Sequence, residues 1–218
     1  MNRKIAFIPD NYYHIYNRGV EKRKIFLEEK DYRRFLILLS ICNGFDAVNI
    51  RDNPPEDQIP RKRKETLVDI GAYCLMPNHF HLLIREKSES GITNFMRKLG
   101  TAYAMYFNKK NKRNGGLFQG KFGAQLLNND NYLKYIFAYV HLNPIKLIEP
   151  EWKEKGVANI NKAKDFLDNY IWSSYSAYMR KKQNDPILNK KAFPEYFENA
   201  KEFKDFIDDW LQYKEDVR

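Results

Sequence analysis

Cysteine is nearly absent from the chain: Cys42 and Cys74 are the only two in 218 residues. That excludes a disulfide framework or a thiolate zinc cluster and points to a reducing, cytoplasmic setting. Long apolar runs are missing as well. No window approaches the ~20 apolar residues of a membrane helix, and the opening MNRKIAFIPDNYY has no apolar stretch of signal-peptide length, so neither a membrane partner nor export is expected. Acidic residues are the minority, 28 against 38 Lys and Arg, for a formal charge of +10. Such a balance favours a polyanionic partner, nucleic acid first. Histidine is scarce too, at four residues, which gives weight to where each one falls. With 43% hydrophobic and 30% charged residues the composition is that of a folded globular chain. Its length suits one packed domain plus an extension.

The pattern along the chain reads as α+β. Residues 12–17 (YYHIYN) are β-prone and end at Arg18-Gly19. From Glu28 onward, Tyr32, Phe35, Leu36, Leu39 and Cys42 recur at helical spacing. Residues 51–65 (RDNPPEDQIPRKRKE) read as an exposed loop whose basic run, Arg61 to Lys64, is available to phosphate. Two β-rich runs, 66–76 and 79–85, are separated only by Pro77-Asn78 and predict adjacent antiparallel strands at the centre of a sheet. A long helix follows, marked by Ile92, Phe95, Met96, Leu99, Ala102, Tyr103 and Tyr106. Then come a strand or hairpin in 117–127 and a helix from Asn131 to Leu142, stopped by Pro144. This order predicts a small antiparallel sheet with helices on one face. Residues 1–150 form the expected core domain, and 151–218 a helical C-terminal extension whose last amphipathic stretch runs from Tyr196 to Trp210.

Positions i and i+2 of a strand share a side, so His79 and His81 put two imidazoles together while Phe80 faces the other way. Two such nitrogens, with substrate oxygens, can hold Mn²⁺, Zn²⁺ or Mg²⁺ against a phosphate. An ordinary strand with two polar positions has the same tripeptide, and spacing alone leaves both readings open. No acidic constellation surrounds these strands, which argues against a two-metal nuclease and for a side-chain nucleophile. On the helix from Asn131, Leu133, Ile136, Phe137 and Val140 define the buried stripe. Tyr132, Tyr139 and Asn143 cluster on its flank. Tyr139 and Asn143 are four apart and therefore neighbours on the helix surface.

Four segments in order, YHIYNRG at 13–19, CLMPNHFHLLI at 74–84, GLFQGKF at 116–122 and YVHLNPIK at 139–146, with WSSY at 172–175, resemble the His-hydrophobic-His (HUH) single-tyrosine transposases. The likeness is greatest to their repeat-associated (REP-associated, RAYT) branch, and it covers most of residues 12–179. The resemblance implies a ferredoxin-like, RNA-recognition-motif-like α+β fold. It makes His79 and His81 ligands of a divalent ion, Mg or Mn, Tyr139 the nucleophile and Asn143 a third polar ligand. The insertion-sequence branch usually carries Gln where this chain has Asn143, and Tyr132 is the reserve nucleophile on the same helix.

The implied chemistry is transposase-type cleavage and rejoining of single-stranded or hairpin DNA through a 5′-phosphotyrosine. Arg18, Arg97, Lys98 and Lys121 would hold phosphates, and Tyr16 and Phe118 would offer stacking surfaces. A homodimer is left open. Two other readings remain: a non-catalytic nucleic-acid-binding module of the same fold class, and a metal-dependent phosphodiesterase that activates water.

Overall fold

Pro77 and Asn78 reverse the chain between two strands, and the computed structural model of the protein is organised around that hairpin. It describes residues 5–46, 59, 65–179 and 185–212, so the Arg61 to Lys64 run lies outside the described residues. Strand β1 (Tyr12–Arg18) is followed by α1 (Glu29–Ile41), β2 (Val68–Met76), β3 (His79–Glu86), α2 (Gly91–Lys110), β4 (Gly123–Leu127) and α3 (Asp130–Leu142). Four shorter or terminal helices complete the described chain: α4 (Trp152–Lys155), α5 (Ile160–Asn169), α6 (Tyr175–Met179) and α7 (Ala200–Gln212). The last begins at Ala200, later than the Tyr196 start that amphipathicity suggested.

Local chemistry sets several of these boundaries. Glu28 and Asp31 form a reciprocal capping box at the start of α1. The Asn129 side chain accepts from the Tyr132 backbone N–H at 2.8 Å and starts α3. Glu86, at the end of β3, accepts from the Ile92 N–H at 2.7 Å and so caps α2 from the sheet. Pro144 does not break the chain away. Asn143 keeps helical angles (φ −54°, ψ −35°), and Pro144 opens a 3₁₀ turn over Asn143–Leu147, where its missing N–H costs nothing.

The sheet is antiparallel with strand order β2-β3-β1-β4. Two sequence expectations are corrected here. The β2/β3 hairpin is not the centre, because β1 inserts beside β3 and leaves β2 at an edge. Helices also cover both faces rather than one. Tyr13, Ile15, Phe80, Leu82 and Ile84 pack with α1 and α2 in one core, while Ala72, Cys74, Met76 and Leu83 pack with α3, α5 and α7 in a second. The open edge of β2 is closed by the chain after α5. Leu75 N–H donates to Trp172 O (2.9 Å), Ser174 N–H to Tyr73 O (2.9 Å) and Asn189 N–H to Ile70 O (2.9 Å), which satisfies groups an edge would otherwise expose. The WSSY segment thus acts as an edge cover.

Candidate active site

His79 and His81 project from β3 toward α3, opposite Phe80, as their alternation requires. Their neighbours on the same face come from the register: Tyr16 pairs with His81 and Arg18 with His79 across β1/β3, while Cys74 and Met76 flank them on β2. Asn78 Oδ1 accepts from His79 Nδ1 at 2.6 Å. Because an amide oxygen only accepts, the proton sits on Nδ1 and Nε2 is left with its lone pair. That lone pair faces Asn143 Oδ1 at 3.4 Å. Asn143 is fully buried, and its Nδ2 has no hydrogen-bond partner among the described residues.

Tyr139 reaches from α3 over His81 and His14. Its ring centroid is 5.2 Å from that of His81 and 5.9 Å from that of His14, edge-on in both cases. Lys153 of α4 places its Nζ 3.7 Å from the centroid of the Tyr139 ring. Tyr132, Tyr135 and Tyr139 stack successively along α3 at 6.2 and 6.3 Å. The structure therefore brings Tyr139 against the imidazoles and leaves Tyr132 at the far end of the ladder, beside Gln125 of β4.

Electrostatically the place is short of negative charge. Burial pushes His79 down to about 4, opposed by its contact with Asn143 and reinforced by Lys146 and Arg18. His81 is held well below the usual range by burial, then by His14, His79, Lys146 and Lys153. Burial raises the Tyr139 phenol, against a pull the other way from the Asn143 amide. Neutral imidazoles are the form that binds metal.

The donor set fits a divalent ion. A bare imidazole nitrogen and an amide oxygen face one another with no proton between them, next to a second imidazole. No group of three or more His, Cys, Asp or Glu side chains arranged for a metal occurs among the described residues. An ion here would draw its other ligands from Asn143 and from a substrate phosphate, whose charge Arg18, Lys146 and Lys153 also attract.

The other sequence candidates separate. Arg18 is exposed beside His79 and donates from Nε to Gln119 Oε1. Lys98 turns inward and donates from Nζ to the carbonyls of Gly44 (2.6 Å), Phe45 (3.1 Å) and Asp46 (2.7 Å), tying down the chain after α1. Arg97, Lys121 and Phe118 line a groove of about 730 Å³ between α2 and residues 116–122. That groove lies on the sheet face away from the imidazoles. Tyr16, 42% exposed, lies across β4 so closely that a Cβ on Gly123 would sit 2.4 Å from its ring. Spacing had not singled out Asn78, His14, Lys146 or Lys153. Asn78 was readable as the neighbour of a candidate ligand. The other three needed strand pairing and the path of the chain after Pro144.

His141, the remaining histidine, is fully buried with both ring nitrogens engaged, Nδ1 with Phe137 O (2.9 Å) and Nε2 with Ser174 Oγ (2.8 Å). Ser174 Oγ also accepts from Tyr73 N–H at 3.0 Å, so this histidine locks α3 to the edge cover.

Comparison with known proteins agrees with the fold. The fold is similar to that of a REP-associated tyrosine transposase solved with a REP hairpin, with a TM-score of 0.52 and 13% identity over 90% of this chain and 99% of that one. Weaker likenesses reach a candidate transposase from Deinococcus radiodurans R1 (TM-score 0.35, 15% identity, 64% and 95% covered). They also reach the tRNA(His) guanylyltransferase of Saccharomyces cerevisiae (TM-score 0.38, 10% identity, 77% and 75% covered). No curated protein matches the sequence. The model of the IS200-like transposases, however, matches residues 8–143. That span takes in both histidines of β3, Tyr139 and Asn143, so the chain belongs to the IS200-like transposase family.

Proposed function

We propose that this transposase-family protein cleaves and rejoins single-stranded or hairpin DNA through Tyr139, with a divalent ion, Mg or Mn, held by His79, His81 and Asn143. The observation that carries the reading is the placement of a half-buried tyrosine ring 5.2 Å from His81 while His79 Nε2 and Asn143 Oδ1 turn their lone pairs on each other at 3.4 Å. The hairpin seen with the protein of similar fold supports the substrate class.

A bound ion supplies Lewis-acid polarisation of the scissile phosphate and offsets its charge. The chain's own groups do the rest. Arg18 and Lys146 attract the phosphodiester from the rim. Tyr139 Oη bonds to phosphorus as the bond to the 3′ oxygen breaks, and the proton lost by the phenol ends on that leaving 3′-hydroxyl. The 5′-phosphotyrosine keeps the energy of the broken ester, so attack by a 3′-hydroxyl reverses the step with no external energy source. Lys153, over the ring, stabilises the phenolate that burial disfavours.

The test is incubation of the protein with end-labelled single-stranded hairpins and Mn²⁺ or Mg²⁺, beside Tyr139→Phe and His79→Ala/His81→Ala, read on a denaturing gel. A protein–DNA adduct lost in both variants is expected. Cleavage that survives Tyr139→Phe without an adduct would replace this reading with water activation. Binding without cleavage of any hairpin would leave a binding module.

A further inference from the structure

His14 lies on β1 next to β3, is 5% exposed, and stacks on His81 with ring centroids 5.0 Å apart. Its Nε2 is 2.8 Å from His81 Nδ1. Its other nitrogen, Nδ1, is buried with no hydrogen-bond partner among the described residues. The contrast with His141 is informative. That ring spends both nitrogens on Phe137 and Ser174 and so serves the fold, whereas among the described residues the buried His14 ring has one hydrogen-bond partner, His81.

One contact between two ring nitrogens holds one proton, and which ring carries it decides what His81 can do. If His14 Nε2–H donates, His81 is protonated at Nε2 and has no lone pair to offer. If His81 Nδ1–H donates, His81 Nε2 is bare, as His79 Nε2 is through its bond to Asn78. We infer that His14 is a positioning residue, accepting from His81 Nδ1–H and thereby holding His81 in the tautomer and orientation that present Nε2 to a divalent cation. The inference rests on the metal-site reading above. Asn78 and His14 then form a matched pair of supports, one for each histidine of β3, and such partners typically govern ligand basicity and ring orientation.

The full chain is titrated with Mn²⁺, following the paramagnetic resonance signal of the free ion, for the unaltered protein, His81→Ala, His14→Phe and His14→Gln. Phenylalanine keeps the ring's volume without an acceptor, and glutamine restores an acceptor oxygen. Mn²⁺ affinity is expected to fall about 10- to 100-fold in His14→Phe and to recover most of that in His14→Gln, whose Oε1 again accepts from Nδ1–H. Long-range ¹H–¹⁵N spectra of the imidazoles, on the unaltered protein, should show the His81 proton on Nδ1, a readout that packing alone does not move. Tight Mn²⁺ binding lost in His81→Ala but unchanged in His14→Phe would overturn the inference and leave the metal site standing. So would a His81 proton found on Nε2. An unaltered protein that binds Mn²⁺ no better than His81→Ala would overturn the metal site itself, and the inference with it.

Discussion

At the scale of single residues, the four histidines divide by what their nitrogens meet, and sequence alone gave only part of that division. His79 and His81 were legible because a strand's two-residue period puts them side by side. His14 and His141 were not, since each is defined by a partner far along the chain: His81 for one, Ser174 for the other. The buried state of His141 is measurable. Burial first, then Lys190 from nearby, pushes it down to about 3, against a raising contribution from Phe137 O. A ring ordinarily near 6.5 takes up a proton in the unfolded chain before the folded one can, so its contribution is complete above pH 6.5. It is lost as pH falls toward about 3, at about 1.4 kcal/mol per pH unit. His141→Gln loses up to two buried hydrogen bonds at neutral pH, about 1–3 kcal/mol, but escapes this acid penalty. In thermal melts at pH 7 and pH 4.5, the gap between His141→Gln and the unaltered protein should narrow at the lower pH; a constant gap would count against the assignment.

Lys153 is another residue the sequence hid, because nothing in WKEK marks one lysine over its neighbour. Its Nζ, 3.7 Å from the Tyr139 centroid, should make two effects run in opposite directions. In Lys153→Met the phenolate loses its cation, and the rate of adduct formation should drop about tenfold, matching the ~1–2 kcal/mol of a partly desolvated cation–π contact. The same change removes a positive charge that acts on His81, so Mn²⁺ affinity should rise rather than fall. Single-turnover assays and the Mn²⁺ titration separate the two, and a rate unaffected by Lys153→Met would deny it a part in the chemistry.

At the scale of elements, what could be read was what is local. The two-residue turn at Pro77-Asn78, the capped start of α1 and the apolar stripe of α3 all follow from residues within a few positions of one another. Strand order did not follow, because β1 pairs with β3 across the whole of α1 and β2, and no local pattern records that choice. The second layer of helices was missed for the same reason. The face of the sheet carrying His81, Cys74 and Leu83 mixes polar and apolar residues, and it is covered by α3 together with α5 and α7, which the chain beyond Pro144 brings back over it. The edge cover at 172–174 joins these elements. Ser174 Oγ accepts from Tyr73 N–H and contacts His141 Nε2, so Ser174→Ala leaves a buried donor on β2 and an unpaired ring nitrogen on α3. A loss of about 1–3 kcal/mol in denaturant unfolding is expected. Fast hydrogen exchange at Tyr73 should accompany it, and stability within about 0.5 kcal/mol of the unaltered protein would show the contact to be incidental.

At the scale of the molecule, a charge of +10 says that a polyanion is attracted but not where it lies, and the four cations chosen from sequence turn out to have three environments. Arg18 is exposed beside His79, Arg97 and Lys121 line the groove on the opposite sheet face, and Lys98 is tied to three backbone carbonyls. Salt dependence distinguishes them. For single-stranded DNA the logarithm of affinity falls with the logarithm of salt by about 0.7 for each phosphate neutralised. Arg18→Ala should therefore flatten that slope by about 0.7 and slow adduct formation, since the contact it removes adjoins the reacting phosphate. Lys98→Ala should leave the slope unchanged and lower stability instead, by about 0.5–1.5 kcal/mol, as the carbonyls of Gly44, Phe45 and Asp46 lose their shared donor. If the strand continues round the sheet edge into the groove, Arg97→Ala/Lys121→Ala will flatten the slope by about 1.4 for long oligonucleotides, with adduct formation on saturating short hairpins unaffected. An unchanged slope in that double variant would confine the DNA path to the face carrying Tyr139, and a changed slope in Lys98→Ala would mean that its carbonyl contacts give way to phosphate when DNA binds.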